Sequence, residues 1–361
     1  MDLKAHYSEK LSKLFFLNIK KQKLRELFKV DIKEDIYIPV AAEDLADKIK
    51  NESSLNKIPM SFFLEGMFYV LGADSNFKYN EYYNTMLLNA KESDKYIKSR
   101  IAKEIKKSNY EEAYIMLKGL FYIEKSQDNL SKLLLLCDKL RSENSKLYRE
   151  EELDLIEKSK KFDENFKEPY FYESLLYRDD KDFQKAFYCI NTYISKGGEE
   201  TKEITEFKDS LKVVNDYDKG KELVNTEPDN ALNILMPLLD TIGDNAEIYY
   251  YIAVAYRNLK NHQKAIYYLN EALSIDDKAV EIINEMGLNY ASIGEFEKAI
   301  AYFRSAFQFT GSVEICTNLI MCYLNTKDIK QAKIHLKLAK EINKEDEIVK
   351  DLEKLIGEME A

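Results

Sequence analysis

The sequence predicts an all-α protein, a solenoid of helical hairpins with a non-repeat helical region before it and a capping helix after it. Three observations carry this. Glycine and proline are scarce, 11 and 5 in 361 residues, which suits long helices with short connections better than a chain of tight turns. Small and aromatic residues recur with a period of 33–34 residues, the mark of an array whose units bury their apolar faces only by stacking. Near the C-terminus, Ile348, Leu352, Leu355, Ile356 and Met359 fall on one helical stripe, apolar toward the last unit and charged outward.

Residues 1–90 show no repeat. Helices are expected roughly over 3–29, 42–50 and 60–72, with Ile36–Val40 as a short strand or extended linker and Pro39 and Pro59 as boundaries. The first 30 residues hold eight Lys/Arg against three Asp/Glu, with Tyr7, Leu11, Leu14, Phe15, Leu24, Leu27 and Phe28 in a partly helical stripe. We read a helix packed on the array with a solvated basic face in preference to a membrane-surface helix. Leu45–Gly72 has helix, turn, helix order, but its second helix is aromatic and almost uncharged. It belongs in a core and not in a DNA groove.

The middle of the chain carries weak copies of the pattern: Ala113, Leu117 and Leu120; Tyr177, Ala186 and Ile190; Ala231, Leu235 and Leu238. The step from Ala186 to Ala231 is 45 residues, so an insertion lies between. "SKGGEE" at Ser195–Glu200 reads as a helix C-terminus with glycine in the left-handed cap.

The clear copies follow. Ala299 has Tyr290 nine and Gly287 twelve residues before it, and Phe303 four and Ala306 seven after it. The same offsets around Ala265 give Tyr256, Ala253, Leu269 and Ala272. Around Ala332 they give Tyr323, Ile320, Leu336 and Ala339. Each set spans two helices joined by a tight turn, with alanines where the helices come closest and aromatics filling the wider gaps.

This pattern resembles the tetratricopeptide repeat (TPR) family, from about Ala246 to Lys344. There are departures. The family's leading Trp is Tyr249, Ile283 and Cys316 here, and its closing Pro is Asp277, Gly311 and Lys344. With the resemblance, the chain divides into a mostly helical region at 1–90, degenerate TPR-like hairpins at 91–211, and the TPR array with its capping helix at 212–361.

No catalytic motif emerges. His6, His262 and His335 are scattered, and "GG" at Gly197 lacks the Lys-Ser/Thr of a phosphate loop. Cys137, Cys189, Cys316 and Cys322 form no C-x-x-C pair and read as buried free thiols of a reducing cytoplasm. No metal or other cofactor is expected. A net charge of −10 disfavours nucleic acid. The most apolar run, twelve residues from Phe62, contains Glu65 and is too short to span a bilayer.

The resemblance implies that the first helix of each hairpin lines an inner groove. The groove positions are then Glu247, Tyr250, Val254, Arg257 and Asn258; Glu281, Asn284, Leu288, Ala291 and Ser292; and Glu314, Thr317, Met321, Leu324 and Asn325. An upstream copy adds Glu168, Phe171, Leu175 and Arg178. Such a mixed lining suits a peptide, and the glutamate row favours a partner with basic residues. Each glutamate also complements its own helix dipole. The Lys/Asn clamp that some family members use for a C-terminal carboxylate is not matched. The expected function is a non-enzymatic protein- or peptide-binding scaffold. A peptide-sensing regulator and an enzyme with its site in residues 1–90 remain open at this point.

Overall fold

The structure, a computed structural model, describes residues 2–41 and 58–359. The helix expected over 42–50, which is also the first helix of the helix-turn-helix reading, lies outside the described residues. Nineteen α-helices and one two-stranded sheet are present among the described residues. The chain divides into two compact units, Met1–Thr205 and Glu206–Ala361.

The first unit runs α1 (Leu3–Leu11), β1 (Leu14–Ile19), α2 (Lys21–Phe28), β2 (Ile36–Ala41), α3 (Met60–Ala73), α4 (Asn80–Asn89), α5 (Ser93–Lys106) and α6 (Tyr110–Ile123). It continues with α7 (Gln127–Glu143), α8 (Ser145–Phe162), α9 (Glu168–Asp179) and α10 (Phe183–Ser195). The single helix expected over 3–29 is a helix, a strand and a second helix. Leu14–Ile19 is uncharged and carries two phenylalanines, and such a segment, given a partner strand, suits pairing better than a helix. It pairs antiparallel with β2, Leu14 opposite Ala41 and Ile19 opposite Ile36, so the strand read at Ile36–Val40 is present. β2 lies on α3, where a Cβ on Gly66 would fall 2.0 Å from the Pro39 carbonyl oxygen. Phe63, Met67 and Phe68 of α3 are buried, which makes this aromatic helix part of the core. The N-terminal basic residues are partly paired: Lys10 reaches Glu111 at 2.5 Å and Glu112 at 2.7 Å on α6.

A long helix, α11 (Lys202–Leu223), fills the insertion after α10, and Gly197 has φ +84° as its cap position requires. The second unit continues with α12 (Pro228–Ile242), α13 (Ala246–Asn258), α14 (His262–Ile275), α15 (Val280–Ser292), α16 (Phe296–Thr310), α17 (Val313–Asn325), α18 (Ile329–Ile342) and α19 (Glu347–Glu358). α13/α14, α15/α16 and α17/α18 are the three hairpins.

The spaced residues sit where the packing needs them. Ala265, Ala299 and Ala332 are fully buried, as are Ala272, Ala306 and Ala339. A Cβ on Gly287 would fall 2.6 Å from the Phe303 ring, so only glycine lets that ring cross its helix. Tyr256 stacks on Tyr268 and Tyr290 on Tyr302, both at 5.5 Å between ring centres, and Tyr323 meets His335 at 5.0 Å. Ala299→Leu should therefore overpack the contact and cost about 1–3 kcal/mol, read as a lower denaturant midpoint; an unchanged midpoint would contradict the close contact.

The hairpin turns share one geometry. Five residues before the anchoring alanine the backbone is left-handed: Ser108, Lys181, Lys260, Gly294 and Lys327 have φ between 59° and 82°. The next residue's N–H bonds back five positions, as in Asn261 to Tyr256 and Asp328 to Tyr323, both 2.8 Å. This is the Schellman closure of a helix C-terminus. Asp182, Asn261 and Asp328 then cap the second helix with their side chains. The hairpins α5/α6 and α9/α10 have this turn as well, although their sequences match the pattern weakly.

α19 packs on α17 and α18, and its inward side differs from the stripe expected. Val349, Leu352 and Ile356 are buried, whereas Ile348, Leu355 and Met359 are exposed. Val349, a turn before Leu352, takes the inward place that the stripe gave to Leu355.

Candidate binding groove

The candidate site is the face offered by the first helices α13, α15 and α17. Each begins with a residue pair whose second member is glutamate: Glu247, Glu281 and Glu314. All three are exposed. Glu247 is partly engaged by its own chain, with Lys221 at 3.9 Å and the Tyr217 phenol beside it. It also borders a small cleft of about 180 Å³ with Tyr217 and Ile242. Glu281 and Glu314 form no ion pair among the described residues.

Tyr250, Arg257 and Glu281 are brought together. The Tyr250 phenol is pushed up to about 12, first by burial, then by Glu285 and more weakly by Glu281, with Arg257 opposing. Arg257 is not free for a partner. Its Nε donates to the Glu285 carboxylate of the next first helix. Glu285 is buried, and burial raises its carboxyl pKa against the pull of Arg257. The Asn289 amide also donates to Glu285 Oε1, at 3.3 Å. Asn289 Oδ1 therefore accepts from His262 Nδ1 at 3.0 Å. A chain of Arg257, Glu285, Asn289 and His262 thus ties the first hairpin to the second. The spacing of alanines and tyrosines gave no sign of it: Glu285 stands at a position filled by Tyr251 and Asn318 in the neighbouring repeats.

The other sequence-derived positions differ in what they present. Leu288 is half-buried and Met321 is exposed. Asn284 is half-buried, and its side-chain oxygen is enclosed with no hydrogen-bond partner among the described residues. Val254 and Thr317 are buried; they shape the floor and offer little surface. Asn258 donates to the Val224 carbonyl at 2.8 Å and so holds α13 to the residue after α11. Phe171 and Arg178 lie on α9 in the first unit. Phe171 packs against Tyr193 at 5.6 Å between ring centres, and Arg178 pairs with Asp179 at 2.7 Å. The four cysteines are free and buried. Among the described residues no cluster of His, Cys, Asp and Glu is arranged to hold a metal ion, and no helix is long and apolar enough to cross a membrane.

Stacked helical hairpins of this period, with left-handed turns and small residues at the crossings, define a helical-repeat protein. Residues 246–279 and 280–310 each match a family model described as tetratricopeptide repeat. Residues 246–310 thus carry two tetratricopeptide repeats, and the fold is an all-α, TPR-type solenoid of helical hairpins. Similar solved structures include the MamA protein, 21% identical over 48% of this chain and 90% of that one, TM-score 0.37. Another is YrrB, described as a TPR protein with an unusual peptide-binding site, 15% identical over 64% and 96%, TM-score 0.30. A third is PilW, described as a widely conserved type IV pilus biogenesis factor, 12% identical over 62% and 98%, TM-score 0.37. No curated protein matches the sequence. The family and the fold support a protein-interaction scaffold.

Proposed function

We propose that this scaffold takes a peptide or protein segment with basic residues in the groove of its second unit, and that it performs no chemical step. The observation that carries the reading is the glutamate row: Glu281 and Glu314 are exposed at equivalent places with no ion pair among the described residues, and Glu247 is held only loosely. A helix-dipole role accounts for each glutamate singly; exposed and uncompensated at successive repeats, they also set up a shared negative field. Tyr250, Leu288 and Met321 supply apolar contact beside that row, with the half-buried Asn284 between them. Arg257 acts at one remove, by holding Glu285. Phe171 and Arg178 hold the corresponding places on the upstream hairpin. In this reading residues 212–361 are the binding part, 91–211 a degenerate extension and 1–90 a separate helical region. The free buried thiols support the cytoplasm as its compartment.

The test is a partner captured by the full chain and titrated against the wild type and the Glu247→Gln, Glu281→Gln, Glu314→Gln triple variant. The variant should bind about tenfold more weakly at low salt, with a flatter salt dependence. Unchanged affinity and an unchanged salt slope would remove the groove as the site.

A further inference from the structure

α19 repeats the plan of a groove-lining helix. Its third and tenth residues, Val349 and Ile356, are buried, as are the third and tenth residues of α13, α15 and α17. The fourth and eighth residues differ. In α17 they are the fully buried Cys316 and Ile320, and Cys316 reaches the His335 carbonyl of α18. In α19 they are Lys350 and Lys354, both exposed, and no second helix packs there among the described residues.

The remaining side, at the second, ninth and thirteenth residues, is the groove side of the other first helices. Here α19 and its cap residue carry Ile348, Leu355 and Met359, which are 56%, 40% and 52% exposed. The ninth residue of α17, Met321, stands at the same register and is 44% exposed. A helix that only closes an array needs a polar outer side. Single exposed apolar residues are ordinary; a stripe of them at the groove register, one repeat beyond the last glutamate, is not accounted for by closure. At the second position, where the three preceding first helices carry glutamate, α19 carries Ile348. The groove side therefore changes from acidic to apolar along the array.

We propose that α19 is a fourth groove-lining helix, and that Met321, Ile348, Leu355 and Met359 form an apolar stretch of the groove beyond the glutamates. The segment it takes then carries aliphatic or aromatic residues at one end and Lys or Arg along the rest. The glutamates complement the basic part, and the apolar stripe anchors the other end as buried apolar groups do at interface centres. This rests on the groove reading above.

The test uses the full chain and short fluorescein-labelled peptides: a lysine run joined to a Leu/Phe cluster, the lysine run joined to Gly/Ser, and a Glu run joined to the Leu/Phe cluster. Fluorescence anisotropy should give the first peptide about tenfold tighter binding than the second, and little binding of the third. Replacing Ile348, Leu355 and Met359 by serine should erase the difference between the first two, with the thermal melt unchanged because these side chains are exposed. A variant that keeps the tenfold preference, or a wild type that has none, overturns the proposal. So does a wild-type dimer in sedimentation that the serine variant makes monomeric, since the stripe then belongs to a second copy. The groove reading fails separately, if Glu281→Gln with Glu314→Gln leaves binding of the lysine peptides and its salt slope unchanged.

Discussion

Replacing Arg141 by methionine should lower the stability of the first unit by about 3–5 kcal/mol. Arg141 on α7 has only 5% of its side chain exposed and faces three carboxylates. It contacts Asp138 and Asp179 at 2.7 Å each, and its Nε donates to Glu152, whose side chain is fully buried. One guanidinium thus joins α7, α8 and α9. The balance is already tight: burial pushes the Glu152 carboxyl up to about 7, Asp138 and Asp179 add to this, and Arg141 opposes it. Without the arginine a buried carboxylate is left with no cation. Urea unfolding should show the loss, and adding Glu152→Gln should recover part of it, because the two residues are coupled. A loss below about 1 kcal/mol would mean that the cluster is not the joint it appears in the packing.

Gly119→Ala should cost about 3 kcal/mol or more, at the upper end of overpacking effects. A Cβ on Gly119 would stand 1.9 Å from the Phe68 carbonyl oxygen, and one on Gly72 would stand 1.8 Å from the Ile115 carbonyl oxygen. The backbones of α3 and α6 touch at both points, so the neighbour that must move is main chain and not a side-chain tip. Gly357→Ala is the control. Among the described residues nothing lies within 4 Å of its added Cβ, and inside α19 alanine should stabilise by up to about 1 kcal/mol. Equal melting of the Gly119 variant and the wild type would contradict the close crossing.

The repeat was legible because its cause is steric and recurs: Ala299, Gly287 and Phe303 are fixed by one contact that every hairpin must make. The turns were less legible. Gly294 shows its left-handed backbone in its residue type, whereas Ser108, Lys181, Lys260 and Lys327 adopt the same conformation with a side chain in place and give no such sign. The N-terminal strand was read as helix because its apolar residues can be fitted to a helical stripe; the pairing with Ile36–Ala41 that decides the matter is a long-range fact. In the groove, Glu247, Glu281 and Glu314 could be found because they recur. The burial of Val254 and Thr317 could not, since it depends on neighbouring repeats. Nor could the Arg257–Glu285 pair, which occurs at one junction and leaves no period.

In a groove that takes the basic segment proposed above, that pair would also select by what a wrong guest would break. A segment bearing aspartate or glutamate could hold Arg257 only by drawing it away from Glu285. The abandoned carboxylate would then be buried with an amide for company and no cation. Leaving one member of a buried pair unpaired costs more than an exposed contact returns. Acidic segments would then be turned away twice, by repulsion from the exposed glutamates and by the penalty of undoing the joint between two repeats, and this second form of discrimination would survive in high salt.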